Sequence, residues 1–179
     1  ERIVRDFLQF ARPAEPELQT MPVEKLLREI QNLLQASLAL KKVELKLELL
    51  ADAQIQADPD KLKQVLLNWW QNGADSMAAG GVVTFRLRRD EQWLNGRHVN
   101  AVIIDIADQG DGIPPEVQKR LFDPFFTTKE AGTGLGLPIA ARIVEKHGGI
   151  IQYETRPNRG TTFSIVLPPT PSAETTTQS

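Results

Sequence analysis

Three groups of residues have types and spacings suited to chemistry. Asn68, Asn72 and Asp75 recur at intervals of four and three, which sets two amides and a carboxylate on one face of a helix. Beside the large apolar Trp69 and Trp70, that row either lines a cleft or forms an ordinary solvated face. Asp108-Gln109-Gly110-Asp111-Gly112-Ile113 follows an alternating apolar segment, so a carboxylate stands at a strand end beside glycines that let backbone approach a ligand. Taken alone, this segment reads as an Asp/Gly turn. An EF-hand is excluded, because Gly110 and Gly112 fall at loop positions that need oxygen ligands and Lys119 stands where the bidentate glutamate belongs. Gly132-Thr133-Gly134-Leu135-Gly136-Leu137 opens a helical pattern, where unpaired amides and the positive helix end suit a phosphate. A flexible hinge is the other reading, compatible with the first because a phosphate lid must move. The spacing is wrong for a dinucleotide fingerprint, and the absence of any Gly-Lys pair excludes a Walker A loop.

Composition narrows the remaining chemistry. The 179 residues include no cysteine, which removes disulfides, thiolate nucleophiles and Cys-based zinc or iron–sulfur sites. The two histidines, His98 and His147, are far apart, so a metal here is expected to be a hard cation held by oxygen. With 21 basic and 23 acidic residues the net charge is −2, and no global basic field recruits nucleic acid or an anionic membrane. The longest apolar run, Ala101 to Ile104, is far short of the roughly 20 residues of a spanning helix.

These groups must be positioned by a framework that hydrophobic periodicity outlines. Ile3, Val4, Phe7, Leu8 and Ala11 form one helical stripe before Pro13 and Pro16. Pro22 suits a helical first turn, and Val23, Leu26, Leu27, Ile30, Leu33, Leu34 and Leu38 follow a helical period. Val43, Leu45, Leu47 and Leu49 alternate as a half-buried strand. Asp58-Pro59 reads as a cap and first position of a helix running to Met77 and the Gly80-Gly81 stop. Strands are expected over 82–89 and 99–107, joined through Asn95-Gly96 by a loop longer than a tight hairpin. A short helix near 115–121 divides the two glycine-rich stretches, and a last helix runs to about His147, capped by Gly148-Gly149. Strands over 150–155 and 161–167 complete the pattern, and residues 169–179 are expected to be a disordered tail. The implied class is α+β: a two-layer α/β sandwich, with helices on one face of a mixed sheet and the other face largely wet.

No single segment is decisive, but their order is. Asn68-x-x-x-Asn72, Asp108-x-Gly110-x-Gly112, Phe122-Asp123-Pro124-Phe125-Phe126-Thr127-Thr128-Lys129, Gly132-x-Gly134-x-Gly136 and Gly160-Thr161-Thr162-Phe163 resemble, in that order, the N, G1, F, G2 and G3 boxes of sensor histidine kinases. The resemblance spans about residues 20 to 168 and is similar above all to the nitrogen-regulation type of catalytic domain, within the superfamily of gyrase, the Hsp90 chaperones and MutL.

It implies a Bergerat ATP-binding fold, ATP with Mg2+, and phosphoryl transfer to a histidine on a separate helical dimerisation domain. Residues 1–13 resemble the end of that domain's second helix, so the chain would begin after the phospho-accepting histidine, with the catalytic domain at 14–168. The implied setting is a cytoplasmic kinase, homodimeric at full length with this segment monomeric, acting on a response regulator. The alternatives are a nucleotide-binding module without transferase activity, or an ATPase of the superfamily.

Carried over by position, Asn72 matches the magnesium-binding asparagine and Asp108 the carboxylate that accepts the adenine amino group. Lys129, Gly132, Thr133, Gly134, Leu135, Gly136 and Leu137 match the phosphate lid, with Gly110, Gly112, Ile113, Phe126 and Thr128 around the nucleotide and Thr162 near the adenine. Asp75 stands where many relatives carry a phosphate-contacting lysine, which shifts neutralisation onto Lys129 and backbone amides. Asn68 occupies the position of the water-activating glutamate of the hydrolysing members, and an amide accepts no proton at neutral pH. His98 and His147 are assigned structural roles, His147 as a cation at a helix C-terminus.

Overall fold

The computed structural model describes residues 2–170. The expected disordered tail lies, from residue 171 on, outside them; just before it, the Thr170 hydroxyl donates to the Gln54 carbonyl at 2.7 Å. The elements run α1 (Arg2–Ala11), β1 (Gln19–Pro22), α2 (Val23–Lys41), β2 (Val43–Leu49), β3 (Gln54–Ala57), α3 (Pro59–Asp75), β4 (Gly81–Leu94), β5 (Arg97–Ala107), α4 (Pro115–Gln118), α5 (Gly136–Lys146), β6 (Ile150–Arg156) and β7 (Gly160–Leu167). Five strands form one sheet in the order β2-β4-β5-β7-β6, parallel only between β2 and β4, and β1 and β3 make a separate antiparallel ribbon. The result is the expected α+β architecture with a mixed sheet.

The core forms where the apolar stripes of three helices meet one face of that sheet. Leu26, Leu27 and Ile30 from α2, Leu62, Leu66 and Trp69 from α3, and Ala140 and Val144 from α5 pack with Phe85, Leu87, Val102, Ile104 and Ile165. Each such large side chain is worth about 1.5–3 kcal/mol of burial, which ties α3 and α5, the two helices that carry the polar motifs, to a rigid sheet. At the start of α3, Asp58 Oδ1 accepts from the Asp60 and Lys61 amides at 3.1 and 3.2 Å, while Oδ2 accepts from Glu17 N.

His147 locks these helices together and is not the cation expected of a helix C-terminus. Its ring is buried, Nδ1 donates to the Ile143 carbonyl at 2.7 Å, and Nε2 accepts the Asp58 amide at 3.0 Å. That second bond requires the Nε2 lone pair, so the ring serves in its neutral form. His147→Ala would leave the Asp58 N–H unpaired in the interior and is expected to cost about 1–3 kcal/mol. Urea unfolding checks this, and a loss below about 0.5 kcal/mol, the ordinary surface-substitution range, would contradict the assignment.

Other expectations need correction. The β1–β3 ribbon was not visible in the sequence, and Pro22 ends β1 and caps α2 instead of entering its first turn. Strand β4 extends through residues 90–94 and β5 begins two residues early at Arg97, leaving a tight two-residue turn with Asn95 and Gly96 both at positive φ (51° and 76°). The sheet face away from the helices is not wet at its centre: Ala101, Ile103 and Val166 are fully buried there. Beside them the buried Asp105 carboxylate binds Arg88 at 2.8 Å and the Ser164 hydroxyl at 2.6 Å.

Candidate functional site

A cavity of about 1110 Å³ opens between α3, α5 and the connection that joins β5 to α5. At its inner end stands Asp108, just past β5. Oδ1 accepts three hydrogen bonds, from the Gly110 amide (2.9 Å), the Thr161 amide (3.2 Å) and the Ser76 hydroxyl (3.5 Å), whereas Oδ2 receives none from the described residues. Burial pushes the Asp108 carboxyl above its ordinary value, and those three donors only partly offset the rise. A carboxylate anchored through one oxygen thus keeps the other for a donor on a ligand. Gly73 lets α3 pass close by, since a Cβ there would lie 3.1 Å from the Asp108 Cβ.

The walls at this end are apolar. Trp69 stacks on Phe163 with ring centroids 4.9 Å apart, and Ile106 and Ile113 complete the lining. The Trp69 Nε1 donor is buried without a partner among the described residues, in a wall that a flat heteroaromatic ligand would cover.

The outer end is built for negative charge. Lys129 Nζ lies 2.9 Å from Asn72 Oδ1 and 2.9 Å from Asp75 Oδ2. Partial burial works against the charged form of Asp75, but hydrogen bonds from Lys41 and Lys129 outweigh it and hold the carboxyl below its ordinary value. Asn68 packs on the start of α5, where a Cβ on Gly136 would come within 2.5 Å of its amide nitrogen. The α5 cap position is Leu135, which has no side-chain oxygen to satisfy the first amides of the helix, so these remain for an anion. Gly134 sits at φ +69° against the Phe125 backbone and fixes how the segment folds over the cavity.

Asn68, Asn72, Asp75, Asp108, Gly112, Ile113, Phe126, Thr128, Lys129, Gly132, Thr133, Gly134, Gly136 and Leu137 all line this one cavity. Three expected residues do not. Gly110 supports Asp108 through its amide, and Leu135 is buried in the core. Thr162 pairs with Ala107 and, by strand alternation from Phe163, faces the opposite side of the sheet; the residue beside Asp108 is Thr161. Counting the alternation back from Phe163 would have identified it.

The sequence shows α1 as a helix but not its place at the site, where Arg5, Asp6 and Gln9 reach the cavity mouth. The helix is held there by reciprocal bonds between Gln9 and Gln64, by Thr133 donating to Asp6, and by Arg142 donating to the Phe10 carbonyl. No local pattern in residues 2–11 announces this, because the partners lie more than 50 positions away.

The sequence model described as histidine kinase-, DNA gyrase B- and HSP90-like ATPase matches residues 57–171. The chain belongs to this family. Its fold matches the nucleotide-free catalytic domain of the histidine kinase ThkA with a TM-score of 0.70 at 30% identity, covering 87% of this chain and 99% of that one. ThkA is also seen in complex with the response regulator protein TrrA. Full-length ShkA in complex with AMPPNP gives a TM-score of 0.78 at 29% identity over 93% of this chain and 35% of ShkA. Sporulation kinase E of Bacillus subtilis is 35% identical over 97% of this chain, which spans only 23% of that relative. The chain is thus a histidine kinase catalytic domain of the ATP-binding type, about a quarter of the length of that longer kinase. No described helix of this kinase domain is long and apolar enough to cross a membrane.

Proposed function

We propose that this domain binds Mg-ATP and donates the γ-phosphoryl group to a histidine on a helical dimerisation domain. The observation that carries the reading is the division of one cavity into two ends. One end holds apolar walls around a carboxylate, Asp108, anchored through one oxygen; the other holds Lys129, Asn72 and the uncapped α5 amides. Asp108 Oδ2 accepts from the exocyclic amino group, Trp69 and Phe163 flank the ring, and Lys129 with the glycine segment neutralises the phosphates.

An oxygen-bound cation fits the outer end, since a lysine ammonium already lies against Asn72 Oδ1. Asn72 would hold such an ion through Oδ1, and Mg2+ would supply charge neutralisation for the phosphates. In the transfer itself, the acceptor imidazole nitrogen forms the N–P bond, the bond from phosphorus to the bridging oxygen breaks, and ADP departs with the electron pair. Asn68 offers no base to activate water, which favours transfer over hydrolysis.

The relatives support the finer reading of a nitrogen-regulation-like subfamily. In that reading α1 belongs to the second helix of the dimerisation domain, the full-length protein is a cytoplasmic-facing homodimer, and a response regulator takes the phosphoryl group. Incubation of this chain with γ-labelled ATP should leave it unlabelled and release phosphate slowly, whereas adding a separately expressed acceptor domain should label that domain. Binding of ATP without label transfer would favour a nucleotide-sensing module, and fast phosphate release would favour an ATPase. His147 is excluded as an internal acceptor by its burial and its two hydrogen bonds.

A further inference from the structure

We infer that Asp75 is a second protein ligand for the divalent ion at Asn72, and that the Lys129 ammonium holds that ion's place in the nucleotide-free domain. The inference rests on the nucleotide reading above and deepens it. Its basis is the equal reach of one cation to two oxygens: Nζ is 2.9 Å from both Asn72 Oδ1 and Asp75 Oδ2. The two residues are three apart on α3, so both oxygens project from one helix face toward the same point. Asp75 is also held in place, because Oδ1 accepts from Lys41 Nζ at 2.7 Å and Gln71 Nε2 at 2.6 Å, fixing the plane of the carboxylate with Oδ2 turned to the cavity.

Two oxygens of this kind are a hard donor pair suited to an ion that shares its remaining positions with phosphate oxygens and water. Charge gives the arrangement its purpose. A carboxylate beside a triphosphate would repel it, but Lys41 offsets that charge from behind, and a divalent ion between carboxylate and phosphate turns repulsion into a bridge. An ammonium and a divalent ion cannot share the oxygen pair, so entry of the ion displaces Lys129 from α3. The freed lysine, on the segment that covers the cavity, is then available to the phosphates. Ion binding and closure of the segment over nucleotide are thereby linked through one exchange of cations.

Manganese serves as the probe, read by loss of the free-ion signal in electron paramagnetic resonance, on the nucleotide-free and ADP-bound domain. Asp75→Asn is expected to weaken Mn2+ binding at least about tenfold in both states, and Lys129→Met to strengthen it in the nucleotide-free state by removing the competing cation. Circular dichroism checks the folding of both variants. Equal Mn2+ affinity of wild type and Asp75→Asn would overturn the assignment, as would Lys129→Met that binds Mn2+ no better than wild type. If ADP fails to bind wild type in chelator, the nucleotide reading falls by itself, and the nucleotide-free Mn2+ titrations still decide the role of Asp75.

Discussion

Asp108→Asn is expected to destroy adenine-nucleotide binding while raising the stability of the nucleotide-free domain at neutral pH. The two effects have one cause. Oδ1 is already saturated by Gly110, Thr161 and Ser76, and an asparagine keeps that oxygen in place, so its nitrogen takes the position of Oδ2. There it would face the adenine amino group donor to donor, a mismatch in a desolvated slot worth on the order of 1–3 kcal/mol or more, or at least about five- to 150-fold in affinity. For the same reason GDP, which presents an oxygen where ADP presents an amino group, should bind wild type far more weakly than ADP, and the gap should narrow in the variant.

The stability effect follows from burial, which raises the Asp108 carboxyl above its ordinary value. A raised carboxyl favours the protonated folded state: its contribution is fully present below the unfolded value near 3.8 and is lost as pH climbs through the folded one. At pH 7 the ionised group is therefore a net cost, which asparagine removes. The melting temperature of the variant should exceed that of wild type at pH 7, and the difference should shrink as pH falls and the raised wild-type carboxyl takes up its proton. Calorimetric titration with ADP and GDP and thermal melts across pH test both halves. Undiminished ADP affinity in a variant that melts lower at pH 7 would remove Asp108 from the site.

Gly160→Ala should be the most disruptive single-methyl change in the domain and should take nucleotide binding with it. Gly160 opens β7 at φ +90°, and a Cβ there would fall 1.9 Å from the Asp108 carbonyl oxygen and 3.0 Å from the Gln109 Cα. The left-handed backbone alone costs about 1–2 kcal/mol for a residue with a Cβ, and a clash with main chain that cannot rotate away adds about 1–3 kcal/mol more. The displaced strand start carries the Thr161 amide, which donates to Asp108, so the carboxylate loses an anchor at the same time. Gly96→Ala supplies the control: its φ is +76°, but nothing lies within 4 Å of the added methyl. Urea unfolding should show Gly160→Ala losing clearly more than Gly96→Ala, with ADP affinity falling only in the former. Equal losses would mean that backbone strain, and not the approach to Asp108, explains the glycine.

Much of the domain is legible in the order of its residues. Apolar periods of 3.6 and 2 locate α2, α3 and β2 because each buries one stripe, and burial is written into local composition. Asp58-Pro59 marks the start of α3, because a cap acts on amides two and three residues away. The motif order places Asn72, Asp108, Lys129 and the glycine segment in one site, and they do line one cavity.

What escaped the sequence depended on partners distant along the chain. The β1–β3 ribbon is four residues long on each side, too short for a period to show. Strands β4 and β5 run on past the clear apolar alternation because each pairs with the other there, Leu94 at the end of β4 being buried. His147 has the sequence position of a helix-end cation, but its ring meets the Asp58 amide, 89 positions away. Thr161 and Thr162 are neighbours of identical chemistry, and alternation along β7, paired with β5, turns one toward Asp108 and the other away. The sequence by itself marked most of the elements and proposed the residues for the chemistry, since both follow from side-chain type and short-range spacing. Tertiary structure alone decided that Asp108 spends one oxygen on the protein and keeps one, and that Asp75 and Asn72 share a cation, since those depend on angles and distances between segments that spacing does not contain.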